Sequence, residues 1–519
     1  MRAHIRFRRG IAGGIVFAVA LSISAVATIT SGAVAATRTA KVDKNAVLRY
    51  GLPIVEQGGV FFDPSKSSNN PYARIWLDLI YDSMIHDTPD HKGAPGLATK
   101  WSTPDPQTVE ITLRDGVKYP DGSAFNSAAV KAAWERLRAS DVAILPQEIK
   151  AITAIETPDD KTVRVSLGQP VAKQWVDEIL KSSVYLGVPS PKAVEAGTSN
   201  TKPVGVGPYQ FESYEEGQKI TLTKNPDYWN PKAQKLKGVE LIQSSVGATQ
   251  LTALQGGTVD LIAIFPPDAI KNLESAGFVI SSTPSTQVKI ITLCVSDGPF
   301  AQKKARQALQ YALDRKGINE AALFGAGTPT SVMLTPVSPF YDKSLEKTYS
   351  FNPKKAKTLF KQGGVKPGST IRALVATTPP QPAIAEIVQS NLKDLGFKVE
   401  ITQSTNVPAD SARLKPDMDF VSIDPSFFAL AIQGQGPLNT CGWSNPEASA
   451  ALDTARDSSK SEAEVGAAWD KLQRIVLDES PFVVVVVNPL LAAHTAKVKG
   501  VKVMHNIVGP DLSTVYMVK

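Results

Sequence analysis

Apolar and polar positions alternate with two different periods along this chain. Stretches with strand character lie at 47–54, 108–114, 162–167, 184–188, 209–213, 219–224, 239–242, 260–264, 370–375 and 397–402. Apolar residues at helical spacing predict helices over 73–85, 127–137, 175–180, 248–254, 353–361, 384–395, 446–456 and 462–478. A longer helical stretch, 301–324, breaks near Arg315. The run 482–487, a phenylalanine followed by five valines, is too short to span a bilayer and predicts a buried strand.

Punctuation residues join these elements. Asp63-Pro64 opens a polar loop that ends at Tyr72, and Asp115-Gly116 and Asp121-Gly122 read as turns. Asn126 is placed to cap the helix at 127. Glu215-Glu216-Gly217 joins a strand pair, and 239–264 reads as a βαβ-like unit. There is no internal repeat and no linker long enough to separate independent domains. At 519 residues the chain exceeds one compact core, which sets a prior of two to four domains. The pattern predicts intertwined lobes of the α/β class, crossed several times by the chain.

Composition adds the compartment. The first 36 residues hold Arg2, Arg6, Arg8 and Arg9 and no acid, then a small-residue apolar stretch ending in Ala33-Val34-Ala35-Ala36. Basic head, apolar middle and A-x-A end predict a secretory leader over 1–35, cut after Ala35, in preference to an uncleaved anchor. Arg8-Arg9 alone gives a twin-arginine leader little support. Loss of the four leader arginines takes the net charge from +7 to +3, which is no electrostatic footprint for nucleic acid. The first cysteine is Cys294, so no lipid-bearing cysteine follows the leader. The expected product is soluble in the periplasm or outside the cell and carries no lipid anchor.

Catalytic signatures are missing. There is no G-x-S-x-G elbow and no H-E-x-x-H. The glycines at 363–368 have P-loop spacing, but Lys366 stands on the wrong side of the second glycine. Gly205-Val206-Gly207-Pro208 begins like a dinucleotide loop. Pro208 removes a donor, and a strand follows instead of a helix, so a structural turn is expected. His86 and His91 near Asp82, Asp87 and Asp90 match no ligand spacing and read as solvated loop residues. Two cysteines exclude a disulfide-dense scaffold. A Cys294–Cys441 bridge would close a long loop and add about 4–5 kcal/mol; the residues alone leave bridge and free thiols open.

Three segments, in order, carry a resemblance. The first is Gly96-Leu97-Ala98-Thr99-Lys100-Trp101 with 109–122, where Leu113-Arg114-Asp115-Gly116-Val117-Lys118 meets a second Asp-Gly turn. The second is 205–209 with Lys224-Asn225-Pro226-Asp227-Tyr228-Trp229. The third is 295–300 running into Arg306-Gln307-Ala308-Leu309-Gln310-Tyr311-Ala312-Leu313-Asp314-Arg315. Together they resemble the extracellular solute-binding proteins, family 5, that serve peptide and nickel ABC importers. The resemblance implies a two-lobed, periplasmic-binding-protein-like clamp of the class II type, with an extra subdomain on the first lobe. It implies lobe I from 36–67, 202–285 and 482–519, the added subdomain from 68–201, and lobe II from 286–481. The implied activity is capture of a peptide-like or other small organic solute by hinge closure and delivery to ABC permease subunits.

The implied ligand-binding positions are Asn69, Asn70 and Tyr72 in the first-lobe loop, and Gln381, Ser422 and Asp424 at second-lobe strand ends. Trp443 either stacks on ligand or packs. Each of the others also reads as an ordinary cap or turn residue. The charge anchors that peptide-binding relatives use are absent: Asp424 resembles the Asp of an Asp-Pro pair, and 377–382 offers no Arg or Lys. The resemblance implies no catalytic residue, metal, cofactor or nucleic acid, and a monomer. The alternatives are an exported hydrolase with a dispersed site, and the same fold holding a nickel or other metallophore complex.

Overall fold

The structure, a computed structural model, describes residues 41–519 except 56–58, 67–69, 71, 89–92, 141–146, 424, 435–438, 440 and 505–508. The leader therefore lies outside the described residues.

Leu48, Tyr50 and Leu52 are fully buried, which sets strand β1 (Val47–Leu52) in the middle of a sheet. Helix α1 (Ala73–Tyr81) buries Ile75, Trp76, Leu79 and Ile80 in the same core. Strands β2 (Ala98–Asp105), β3 (Thr108–Leu113), β4 (Ile152–Asp159) and β5 (Thr162–Leu167) form a separate antiparallel sheet in the order β2-β3-β5-β4. Alternate residues Val109, Ile111, Leu113, Val163, Val165 and Leu167 face one core. Helix α2 (Ser127–Arg138) covers them, capped by the Asn126 side chain, which accepts from the Ala129 N–H at 3.0 Å. Its Trp134 meets Trp175 edge-on, ring centroids 5.9 Å apart.

The hairpin β6 (Tyr209–Glu215) and β7 (Lys219–Lys224) leads into β8 (Gly238–Gln243), α3 (Ala248–Gln255) and β9 (Leu261–Ala263). β8 and β9 flank β1, both parallel to it, as the βαβ pattern predicts. Then comes the long strand β10 (Val279–Leu293), followed by helices α4 (Lys303–Ala312), α5 (Arg315–Leu323) and α6 (Pro353–Gln362). The remaining named elements are β11 (Thr370–Ala376), α7 (Gln381–Asp394), β12 (Lys398–Ser404), β13 (Met418–Ile423), α8 (Pro446–Arg456), α9 (Glu462–Glu479) and β14 (Phe482–His494). One large mixed sheet runs β12-β11-β13-β10-β14-β9-β1-β8-β7-β6.

Among the predicted elements, the strand at 482 runs on to His494, and two others differ in type or end. Residues 184–188 form no strand; Ser183–Leu186 is a helical turn packed on α1. The Leu186 N–H bonds back to the Ser182 carbonyl, and the Leu186 carbonyl takes the buried Trp134 indole N–H at 3.1 Å. Tertiary packing thus outweighs the strand preference of Val184 and Tyr185. Helix α1 stops at Tyr81 instead of 85, because Asp82 takes a left-handed φ of 63°.

The segment 205–208 is a close-packed turn. Gly207 donates its N–H to the Ile80 carbonyl at 2.8 Å. A Cβ on Gly207 would lie 2.4 Å from the Leu79 oxygen, and one on Gly205 2.1 Å from the Ile80 oxygen. Gly207→Ala is expected to cost about 1–3 kcal/mol by forcing this backbone contact apart. Urea unfolding checks it; a loss under about 0.5 kcal/mol would show that the contact yields freely.

The helix motif at 306–315 also binds internally. Ala305, Leu309, Ala312 and Leu313 are buried together. Arg306 donates to the Glu479 carbonyl at 2.7 Å, Gln310 to that of Phe482 at 3.4 Å and Arg315 to that of Val484 at 2.8 Å. Three side chains thereby hold the start of β14 against α4 and α5. Cys294, one residue past β10, is disulfide-bonded to Cys441, with Cα atoms 5.0 Å apart.

Candidate ligand-binding site

β10 and β14 pair antiparallel in two blocks. Val279–Pro284 pairs with Pro489–His494, and Val288–Thr292 with Phe482–Val487. The register slips between the blocks, just past the facing prolines Pro284 and Pro489, and again between Lys289 and Ile290. Proline has no N–H to donate, so two of them across from each other interrupt the ladder. Ser285 bridges the gap: its hydroxyl donates to the Asn488 carbonyl at 2.7 Å and accepts from the Gln287 N–H at 3.0 Å. The first block packs with β9 and β1, and its Leu491 and Ala493 share a core with Leu254 and Ile262. The second packs with β13 and β11, and its Val483, Val485 and Val486 share a core with Phe420 and Ile384. Two cores are therefore joined through a two-stranded ribbon with a weak point. A cavity of about 360 Å³ opens beside it, lined by Ser281, Thr283, Lys502 and Met504.

A second constellation lies at the end of α1. The buried Asp82 carboxylate accepts from Tyr228 Oη at 2.9 Å, Trp229 Nε1 at 2.8 Å and the Ser83 N–H at 2.8 Å. His86 Nε2 lies 2.5 Å from it. The Arg114 guanidinium stacks 3.7 Å above the Trp229 ring. Burial works to raise the Asp82 pKa, but the His86 charge and these donors hold it below the usual carboxylate value. Burial works to lower the His86 pKa, and the Asp82 carboxylate outweighs it, lifting it to about 9. His86 is thus a half-buried strand residue paired with a buried carboxylate, and not a solvated loop residue. Arg114, Tyr228 and Trp229 all come from motif segments, so the motifs mark a structural joint.

Asn69 and Asp424 lie outside the described residues, as does His91. Asn70 is buried and committed to its own loop. Its amide donates to the carbonyls of Ile54 at 2.9 Å and Gly59 at 2.8 Å, and its Oδ1 accepts from the Tyr72 N–H at 2.9 Å. Tyr72 is buried beside Tyr50 at the N-terminus of α1. Trp443 is buried in an apolar cluster, edge-on to Phe482 with centroids 5.9 Å apart. Gln381 is the first residue of α7 and Ser422 lies near the end of β13, so these two come to the C-terminal ends of the parallel strands β11 and β13. Pattern reading misses Lys289, which sits between Ser422 and Val486 on the adjoining strands. Its only signal is a lone lysine in the apolar run 288–293.

Among the described residues no helix is long and apolar enough to cross a membrane, and no group of three or more His, Cys, Asp or Glu is arranged to hold a metal ion.

Residues 92–430 match the family model described as bacterial extracellular solute-binding proteins, family 5 middle. The glutathione-binding protein GsiB of Salmonella typhi is 28% identical over 465 residues, covering 84% of this chain and 89% of that protein. The crystal structure of the ABC transporter substrate-binding protein CtaP of Listeria monocytogenes superposes with a TM-score of 0.79 at 21% identity, over 92% of this chain and 100% of that one. The periplasmic binding protein DppA of Helicobacter pylori, in complex with the peptide STSA, gives a TM-score of 0.72 at 24% identity, over 92% and 98% of the two chains. The last two share the two-lobed clamp fold. By the match over residues 92–430 this chain belongs to family 5 of the bacterial extracellular solute-binding proteins.

Proposed function

We propose that this protein is the capture receptor of an ABC importer, closing on a peptide-like or other small organic solute and passing it unchanged to membrane permease subunits. Family 5 proteins are transport receptors and not enzymes. The observation that carries the reading is the ribbon of β10 and β14, broken at Pro284 and Pro489, between two separately packed cores. Such a break is a place where φ and ψ changes concentrate during domain closure. A glutathione-binding relative and a peptide-bound neighbour support a peptide-like solute. In this reading lobe I takes 36–67, 202–285 and the C-terminal tail, the subdomain 68–201, and lobe II 286–481. The packing of Val483, Val485 and Val486 favours a second crossing at Asn488-Pro489, so that Phe482–Val487 joins lobe II. The receptor acts as an unanchored monomer outside the membrane.

Contacts between the subdomain and the α8–α9 loop support closure. Arg456 Nη2 meets Glu148 Oε1 at 2.6 Å. The Ser458 N–H donates to the Pro170 carbonyl at 2.7 Å, and its hydroxyl accepts from the Lys173 N–H at 3.0 Å. These bonds join segments more than 280 residues apart and would break on opening. Glu148→Gln is expected to weaken solute affinity about three- to tenfold by favouring the open form. Titration calorimetry with the solute eluted from the native protein checks it; an unchanged affinity would remove the contact from the closure step.

The proposal as a whole is tested by native mass spectrometry of the purified protein and by thermal-shift screening against short peptides and glutathione. One saturable solute, returned intact, is the expected result. Cleavage without saturable stabilisation would point to a hydrolase, and stabilisation that requires a metal would point to a metallophore.

A further inference from the structure

We propose that Lys289 anchors a carboxylate of the solute, at a site completed by Ser422, Gln381 and the N-terminus of α7; this rests on the receptor reading above.

Lys289 is almost fully buried, 6% exposed, yet its ammonium has no carboxylate within ion-pair distance among the described residues. Its described partner is the Ser422 hydroxyl, 2.6 Å from Nζ. An ammonium kept out of water without a counter-charge is costly, and proteins rarely retain one without a use. The neighbours on the same sheet face, Ile291 and Phe420, are ordinary core residues. The lysine therefore stands at the row where the apolar face ends, one residue past the point at which the ladder resumes after the proline break. Ser422, level with it, is exposed, so the pair borders open space. Burial pulls the lysine pKa down to about 8, which leaves it mostly charged at neutral pH and readily stabilised by an arriving anion.

A second observation points to the same place. Gln381 is 2% exposed, and among the described residues neither its amide oxygen nor its amide nitrogen has a partner. It opens α7, a helix of 14 residues with no acid in its first turn and no side-chain cap. β11 runs parallel to β13 with Val375 level with Phe420, so the chain leaves the sheet level with Ser422 and turns into Gln381 four residues later. α7 then packs back over β11, β12 and β13. The carboxyl ends of parallel strands, a helix N-terminus, and an amide and an ammonium without a counter-group among the described residues thus lie at the same end of the sheet. In the first turn of α7 Gln381 gives its N–H to the Thr378 carbonyl and Pro382 has none, so the donors facing the site are the lysine ammonium, the Gln381 amide and the Ala383 N–H. One lysine without an arginine suits a single negative charge. A carboxylate satisfies them; a dianionic phosphate would leave charge unmatched.

The test uses the full mature protein, stripped of solute by unfolding and refolding, with matched probes: tripeptide acids and their C-terminal amides, and glutathione and its diethyl ester. Wild type should bind at least one acid tenfold or more tightly than its neutral counterpart. Lys289→Met should abolish that preference while leaving the neutral probe's affinity unchanged, and should raise the melting temperature of solute-free protein. Lys289→Arg should keep the preference. Equal binding of acid by wild type and Lys289→Met, or loss of acid and neutral probe together with a lowered melting temperature, overturns the anchor. If wild type binds a neutral probe as well as its acid, the receptor reading stands and the anchor falls. If no probe binds and no solute co-purifies, the receptor reading itself fails.

Discussion

Asp82→Ala is expected to destabilise the protein by about 3–5 kcal/mol, as the loss of a buried, fully hydrogen-bonded charge does elsewhere. The substitution strips an acceptor from three donors at once: Tyr228 Oη, Trp229 Nε1 and the Ser83 N–H. It also leaves His86 without its counter-charge. The carboxylate fastens the end of α1 to the turn after β7, so its loss loosens the joint between two elements. The pH profile supplies an independent check. The His86 pKa is raised in the folded state, so its contribution is complete below about pH 6.5 and fades as pH rises through about 9. The Asp82 pKa is depressed, so its contribution holds above the ordinary carboxylate range and fades as pH falls through the folded value. Urea unfolding of wild type should show both shoulders, and Asp82→Ala neither. A variant within 1 kcal/mol of wild type would mean the network contributes little.

Reduction of Cys294–Cys441 should cost nearly as much. The bridge spans 147 residues, and the chain-entropy relation gives about 4–5 kcal/mol for a loop of that size. It ties the end of β10 to the segment before α8, beside the cluster around Phe482 and Trp443. Denaturant unfolding with and without reductant, repeated on Cys294→Ser/Cys441→Ser, measures it. A shift below 1 kcal/mol in both would show that the unfolded chain is already held together there by other means. An exported protein keeps such a bond because its compartment is oxidising.

How much of this was readable from the chain depended on whether the signal was local. The predicted helix 353–361 and strand 219–224 match α6 and β7 to within a residue, because caps and turns bound them: Asn352 accepts from the Lys355 N–H, and Gly217 turns the hairpin. β10 escaped notice. Its middle reads Ser-Ser-Thr-Pro-Ser-Thr-Gln, and among the described residues its first half pairs with β14 alone, so neither alternation nor a long apolar run marks it. The disulfide pairing carries no local signal at all, since 147 residues must fold before the thiols meet.

Site reading fared according to the same rule. The use of a loop-end position carries no local signal: Asn70 spends its amide on Ile54 and Gly59, and Trp443 faces Phe482. A lone lysine in a strand reads as a solvated edge residue. Only the register beside Ser422 reveals that Lys289 is buried.

Small-angle scattering on stripped and solute-saturated protein, with the released solute weighed by mass spectrometry, tests most directly whether the molecule is a clamp that leaves its cargo intact. A smaller radius of gyration at saturation, reversed on release, with the solute mass unchanged, is the predicted outcome. Saturation without compaction, or release of fragments, would contradict it.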